Sequence, residues 1–440
     1  MNGRRQTLRN RRDSRRKPLV SRLLEQRLMR NVLLALLIAC GGGHGAEPDA
    51  AANDAASDAG SPDAATHLLL ANGGVQLIVT GSNTGFQITP ADLATDSDVI
   101  EIHQEYYGVP WDEFAANQAP PADWVATMDA IAATAHATGK PIFLSVSMLD
   151  GTRTTLAPKP GGVSNWAAHC YDFATDGSAA VYAQAYQAYV AWMIDEFQPT
   201  WLNYAIEVNL FFESCPSAAG GLVTDANATY AAIKAKQASI IAFPSFQIDH
   251  LYGVATGSCA GSDQSACFDA NYAVIAPMTR DRFAMSSYPI QLGGMSVAQL
   301  PADWFTRGAA RAGESPLISE TGTNDTPIVI DDPNAGCLTA VPGSDADASA
   351  YLARVLGDGA AAKMDFVNWW SDRDLVDATV MTNCPCTFDS NWCAVDALFR
   401  GSNAATEDAG ELTFKAFGTM GLRDYAGNPK SFYSISQAAR

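Results

Sequence analysis

The chain has 440 residues and a formal charge of −19, long enough for one large α/β barrel or two ordinary domains with a substantial core. Its first 39 residues hold 11 of the 28 Lys and Arg but only 2 of the 47 Asp and Glu, so the remainder sets 17 basic against 45 acidic side chains, a balance of −28. Such a surface repels nucleic acid and anionic lipid headgroups, which argues against those partners and favours a neutral one.

The N-terminal stretch is basic up to Arg30, turns apolar from Asn31 to Cys40 and drops into Gly41-Gly42-Gly43. The apolar run is too short to span a bilayer and has the form of a secretory signal, with Met29 as an alternative start. Leu37-Ile38-Ala39-Cys40 is similar to a bacterial lipobox, which makes Cys40 the expected lipidated residue; a plain signal peptide cleaved nearby is the alternative. Residues 41 to 66 are mostly Gly, Ala, Asp, Ser and Pro and read as a flexible acidic tether. The expected organisation is therefore a signal at 1–39, a lipidated Cys and linker at 40–66, and a single folded domain at 67–440. This implies an exported, cell-surface or outer-membrane protein, touching a membrane only through its anchor.

Beyond the tether, eight short runs rich in β-branched and aromatic residues read as strands: Val75 to Thr80, Asp98 to His103, Ile142 to Val146, Trp201 to Ile206, Phe246 to Leu251, Arg282 to Tyr288, Leu317 to Glu320 and Phe366 to Trp370. Helical patterns lie between them, at Ile88 to Ala94, Trp124 to Thr138, Ala179 to Phe197, Tyr230 to Ala242 and Ala348 to Leu356. Alternating strands and helices without hairpin signals predict an α/β fold with a parallel sheet, and eight units predict a (β/α)8 TIM barrel. An open doubly wound sheet is the structural alternative, although no Gly-x-Gly-x-x-Gly follows the first run.

Eight cysteines remain after Cys40, an even number suited to disulfides in an exported chain. All fall in loops after the strands. The expected pairs are Cys259 with Cys267, Cys170 with Cys215, and Cys337 with one of Cys384, Cys386 and Cys393, the remaining two of these pairing with each other. The Cys384-Pro385-Cys386 spacing lacks a matching His pair for a metal cluster. The acids at Asp331-Asp332 and Asp345 to Asp347 lack calcium-loop spacing and are expected in solvated loops.

The chemistry is expected at Glu207 and Glu320, which close the fourth and seventh runs. A carboxylate at the end of an apolar strand is costly without a partner or a task, and barrel enzymes keep their chemistry at the C-terminal strand ends. Two carboxylates about 5 Å apart suit double displacement at a glycosidic carbon, one attacking and the other moving the proton. Each glutamate making a simple rim salt bridge is the bland alternative. Aromatics follow the strand ends as well: Tyr106, Tyr107 and Trp111 after the second run, Phe211 and Phe212 after the fourth, Tyr252 after the fifth, and Trp369 and Trp370 at the eighth. Flat aromatic faces suit sugar rings, though they are also ordinary core material. His103 and His250 close the second and fifth runs and could reach the cleft; His136 lies on a helix. No His-Glu-x-x-His, P-loop or Gly-x-Ser-x-Gly is present.

Residues 75 to 435 resemble the clan of retaining glycoside hydrolases with Glu on strands 4 and 7. The resemblance implies Glu207 as acid/base and Glu320 as nucleophile. Ser286-Ser287-Tyr288-Pro289 looks like the clan's strand 6 motif, with Tyr288 bonding the nucleophile. Asn368-Trp369-Trp370 looks like the strand 8 segment, with a Trp flooring the first sugar subsite. Gly421 to Lys430 is similar to the tail before the last helix. Two departures stand out: Ile206 replaces the Asn that usually precedes the strand 4 Glu, leaving Asn209 as the expected substitute and Asn203 behind it, and His103, Gln104 and Glu105 stand where an Arg is common. The implied activity is retaining hydrolysis of a β-linked polysaccharide or oligosaccharide by a monomer that needs no metal or cofactor. A non-catalytic glycan-binding lipoprotein on the same barrel is the alternative.

Overall fold

The structure is a computed structural model that describes residues 76–79, 90–163, 166–259, 263–332, 336–384 and 415–439. The signal, lipobox and tether, together with Cys386 and Cys393, lie outside the described residues.

Strands β1 (Gln76–Val79), β2 (Ile100–His103), β3 (Ile142–Ser145), β4 (Trp201–Ala205), β5 (Ile241–Gln247), β6 (Phe283–Ser287), β7 (Pro316–Thr321) and β10 (Phe366–Trp369) form one eight-stranded sheet in the order β1-β10-β7-β6-β5-β4-β3-β2. Its neighbours pair in parallel throughout. Parallel strands are covered on both faces, so they appear in the sequence as nearly continuous apolar runs. The sheet is strongly curled. Phe143 on β3 packs 4.8 Å from Phe366 on β10, centroid to centroid, although four strands separate them in the sheet. Trp201 on β4 reaches the same ring at 5.5 Å and donates from Nε1 to Asp365 at 3.1 Å. Val99, Phe143, Trp201, Phe243, Ala284, Leu317 and Phe366 fill the space enclosed by the strands. Two residues further along lies a polar layer with Glu101, Ser145, Asn203, Ser245, Ser319 and Asn368, all buried. The chain is an α/β, TIM-barrel-like protein.

The helices sit outside, where they bury the other sheet face. Helix Ala179–Phe197 matches its expected span; Ala122–Ala137, Pro90–Asp96 and Asp345–Ala361 fall within a few residues of theirs. Asp345 and Asp347 are not loop residues: they occupy the first turn of Asp345–Ala361, where acids oppose the helix dipole favourably. Ser344 caps that turn by accepting from Asp347 N–H at 3.1 Å.

Two expectations are corrected. The fifth strand is Ile241–Gln247, five residues earlier than Phe246 to Leu251, and its preceding helix is Ala219–Lys236. Pro244 hides it, because proline normally counts against a strand interior; here it sits opposite Ala205 where the β4–β5 register shifts. Ile248–Leu251 forms a helical turn instead. A hairpin, β8 (Ile328–Asp332) with β9 (Gly336–Val341), also follows β7, so Asp331 and Asp332 lie on a strand. Ile328, Ile330 and Val341 of the hairpin bury against Val376, Met381 and Ala416.

Disulfides join Cys170 to Cys215, Cys259 to Cys267 and Cys337 to Cys384. Cys267 lies on helix Gln264–Ile275 and Cys337 on β9 rather than in loops.

Candidate active site

The C-terminal ends of the strands share one rim, and Glu207 and Glu320 stand on it. Glu320 belongs to β7, and its Cα partner on β6 is Ser286. Gly322 lets the chain leave β7 close to the next strand, since a Cβ there would collide with the carbonyl of Trp370. Glu207 lies just past β4, after a register shift, in a left-handed conformation with φ of 47°. That conformation costs a non-glycine residue on the order of 1 kcal/mol, and Ser245 on β5 offsets it. The Ser245 hydroxyl accepts from Glu207 N–H at 3.0 Å and from Asn203 Nδ2 at 3.0 Å, while its carbonyl accepts from Val208 N–H at 3.1 Å.

β6 and the residue just past it serve both glutamates. Ser286 Oγ donates to Glu207 Oε1 at 2.6 Å, and Tyr288 OH donates to Glu320 Oε1 at 2.5 Å. Tyr288 is itself fixed from below: its backbone N–H donates to Asp249 Oδ2 at 2.8 Å, and Ser287, bonded by Trp304 Nε1 at 3.0 Å, donates to the other Asp249 oxygen at 3.4 Å. Burial pushes Asp249 up to about 7. Burial first, and the Glu207 charge second, raise Glu320 to about 8; the His103 charge and the Tyr288 hydrogen bond oppose this. Glu320 therefore keeps its proton near neutral pH.

A chain of buried charges leads from β2 to Glu207. His103 Nδ1 lies 3.4 Å from Glu101 and its Nε2 lies 3.3 Å from Glu105. Arg153 bonds Glu105 through Nη1 and reaches Glu207 Oε2 through Nη2 at 3.3 Å. Burial alone would strip His103 of its proton, but Glu101 and Glu105 outweigh it and lift His103 to about 10. Burial works against the Glu105 charge too, yet Arg153 and His103 bring it down to about 2. His103 also meets the Trp370 ring edge-on at 5.8 Å.

The remaining expected residues divide. Trp370 joins Tyr288 and Met420 in an apolar cluster at the rim, with Leu292 and Phe417 against it. Trp369 does not reach the mouth: successive residues of a strand face opposite sides, so Trp369 is fully buried, donates to Met420 O at 2.8 Å and packs near Tyr351 and Phe432. Asn209 is not available to a sugar. Its Nδ2 donates to Gln247 O at 3.0 Å and its Oδ1 accepts from Gln247 N–H at 2.8 Å, which occupies the amide in joining the β4 and β5 exits. Asn203 is similarly occupied, by Ser245 and by Ala205 N–H at 3.3 Å, and Ile206 is buried. His250 lies in the turn after β5, with Nδ1 2.7 Å from Glu213. Tyr107 packs half-buried against the main core.

Arg153, Ser245 and Asp249 were not singled out by sequence reasoning, and Ser286 was named only as part of the strand 6 motif, without a role. Arg153 sits in a threonine-rich loop without periodicity, and its one signal is a lone cation beside rim carboxylates. His169, Cys170 and Cys215 approach within 4.8 Å of one another among the described residues, but the disulfide between the two cysteines leaves only the imidazole to bind anything.

No protein-family model matches the chain, and no curated protein matches it in sequence. Solved structures do match in shape. An exo-beta-1,4-mannosidase from an Opitutaceae bacterium aligns over 83% of this chain and 59% of its own, at 14% identity and a TM-score of 0.50. A GH5_18 protein from Bifidobacterium longum subsp. infantis aligns over 83% and 78%, at 14% identity and a TM-score of 0.50. A GH5_18 protein from Streptomyces cattleya, solved in complex with Manb1-4GlcNAc, aligns over 83% and 80%, at 15% identity and a TM-score of 0.50. At these identities the likeness concerns the fold.

Proposed function

We propose that the chain is a retaining glycosidase that cleaves β-glycosidic bonds in an oligosaccharide or polysaccharide. The observation that carries this reading is that β6 and the residue just past it bond both rim glutamates, Glu207 through Ser286 and Glu320 through Tyr288. In the first step the Glu320 carboxylate attacks the anomeric carbon while Glu207 passes a proton to the departing oxygen. The glycosidic bond breaks and a glycosyl ester forms on Glu320. In the second step Glu207 takes a proton from water, which attacks the same carbon and releases Glu320. The Glu207 charge is the second cause, after burial, of the raised Glu320 carboxyl, so a proton that moves from Glu320 to Glu207 readies both for the first step. Trp370 would form the floor beneath the sugar.

In this reading β1 and β2 flank the seam of a complete (β/α)8 barrel spanning 67–440. That domain acts as a monomer, exported behind a signal at 1–39 and held to a membrane by lipidated Cys40 and the linker to 66. The fold likeness to a β-1,4-mannosidase puts β-mannosides first in a substrate panel, followed by glucan, xylan and galactan. Turnover of one of them, with the β-anomer appearing first in proton NMR, is the expected result; the α-anomer first would overturn retention. Tyr288→Phe should lower kcat by roughly a hundredfold, the scale for losing one preorganised donor; an unchanged kcat would remove Tyr288 from the site.

The Arg153–Glu207 ion pair supports a second reading, a glycan-binding barrel with a neutralised Glu207. Calorimetric binding of a glycan that no preparation cleaves would favour it.

A further inference from the structure

We propose that Arg153 is a positioning residue for Glu207, sharing its guanidinium between Glu105 and Glu207 and thereby setting the pH at which the acid/base carboxyl gives up its proton. The proposal rests on the glycosidase reading above.

The loop after β3 is built to deliver this one side chain. Asp150 Oδ1 accepts from the N–H groups of Thr154 at 3.0 Å and Thr155 at 3.2 Å, and Oδ2 accepts from Thr152 Oγ1 at 2.7 Å. The Asp150 carbonyl accepts from Arg153 N–H at 2.9 Å and from its Nη1 at 3.0 Å. Outside this turn, the Thr154 carbonyl accepts from Cys170 N–H at 2.7 Å, and Cys170 is tied to Cys215 by a disulfide. The loop is therefore fastened both to itself and to the segment after β4. Arg153 adopts φ of 56° and Glu207 φ of 47°. Both ends of the contact thus sit in left-handed conformations that an L-residue enters only when its surroundings demand it.

The guanidinium is 6% exposed and Glu207 is 15% exposed, so solvent screens the pair weakly. Glu207 interacts with Arg153 from the β3 loop, with Tyr288 just past β6 and with Glu320 on β7; Glu105, just past β2, and Asp150 in the β3 loop act on Arg153, and Glu101 and His103 of β2 act on Glu320. Arg153 is the cation that touches Glu207, and Glu105 is its competing anion. An adjacent cation favours the ionised carboxyl. Arg153 therefore helps Glu207 act as a base in the second step and limits its hold on the proton in the first, and Glu105 tempers both effects.

Opposite signs make this testable. In Arg153→Met the basic limb of kcat/KM should move up by roughly one pH unit; in Glu105→Gln, where the guanidinium turns wholly to Glu207, it should move down. Arg153→Lys should restore most of the wild-type profile. The same carboxyl is followed without turnover by carbon-13 NMR of Glu-labelled protein, with the Glu207 signal assigned by its loss in Glu207→Gln. Wild-type protein that cleaves nothing, yet whose Glu207 signal shifts as described in the variants, would sink the glycosidase reading and leave the positioning role standing. An unmoved Glu207 titration in folded Arg153→Met, or shifts of the same sign in Arg153→Met and Glu105→Gln, would overturn the proposal. Arg153→Lys and Glu105→Gln carry the test if Arg153→Met does not fold.

Discussion

Glu320→Gln will lower kcat/KM by roughly four to six orders of magnitude while leaving the fold intact, the scale on which enzymes respond to loss of a covalent nucleophile. The amide keeps an oxygen to accept from Tyr288 OH, so the hydrogen bond at 2.5 Å has a substitute. It also removes a carboxyl whose ionisation is opposed by burial first and Glu207 second, which raise Glu320 to about 8. The variant should therefore melt no lower than the wild type, separating loss of chemistry from loss of structure. In the active protein, kcat/KM should fall as pH rises through about 8, when the proton that Glu320 retains is lost and no acid remains for the leaving oxygen. Retention of more than a tenth of the activity in Glu320→Gln would remove this residue from the reaction.

Arg423→Met is the change expected to harm stability most. Asp96, at the end of helix Pro90–Asp96, is buried and receives two hydrogen bonds from Arg423, 327 residues away in sequence, and a third from Tyr433 OH. Burial alone would raise Asp96, but Arg423 and Tyr433 outweigh it and hold the carboxyl below its ordinary range. Asp372 shares the same pocket, and burial, followed by its hydrogen bond with Asp96 and then the Asp96 charge, pushes it up to about 7. Removing the guanidinium leaves a buried carboxylate facing a second carboxyl, a loss of roughly 3 to 5 kcal/mol. Because the folded pKa of Asp96 is depressed, its contribution is present above the ordinary carboxylate range and disappears as pH falls. Urea titrations should therefore show a large difference between Arg423→Met and wild type at pH 6 that shrinks toward pH 3. A difference below about 1 kcal/mol at pH 6 would show that Tyr433 alone suffices.

Most of the sheet was legible because parallel strands covered on both faces must be written as apolar runs, and few other structures demand that pattern. The strand carrying Pro244 escaped, since the bulge that excuses the proline depends on β4 as a neighbour. Glu320 was legible for a similar reason: a charge closing an apolar run is conspicuous. Trp369 and Trp370 were found as a pair, but which one faces inward depends on the phase of the strand at its last residue. Asn209 was misread because its amide bridges two backbones that only the fold brings together. Arg153 was invisible because its place is set by a turn around Asp150 and by a left-handed backbone, neither of which leaves a periodic trace.

The bond from Cys170 to Cys215 has a consequence for anyone who would alter this molecule. It joins the exits of β3 and β4, so the loop bearing Arg153 and the segment following Glu207 are covalently one piece. Replacing either loop alone would strand a half-cystine and shift the other. The two must be exchanged together, and libraries aimed at new specificity should treat residues 147 to 215 as a single cassette with β4 held constant inside it.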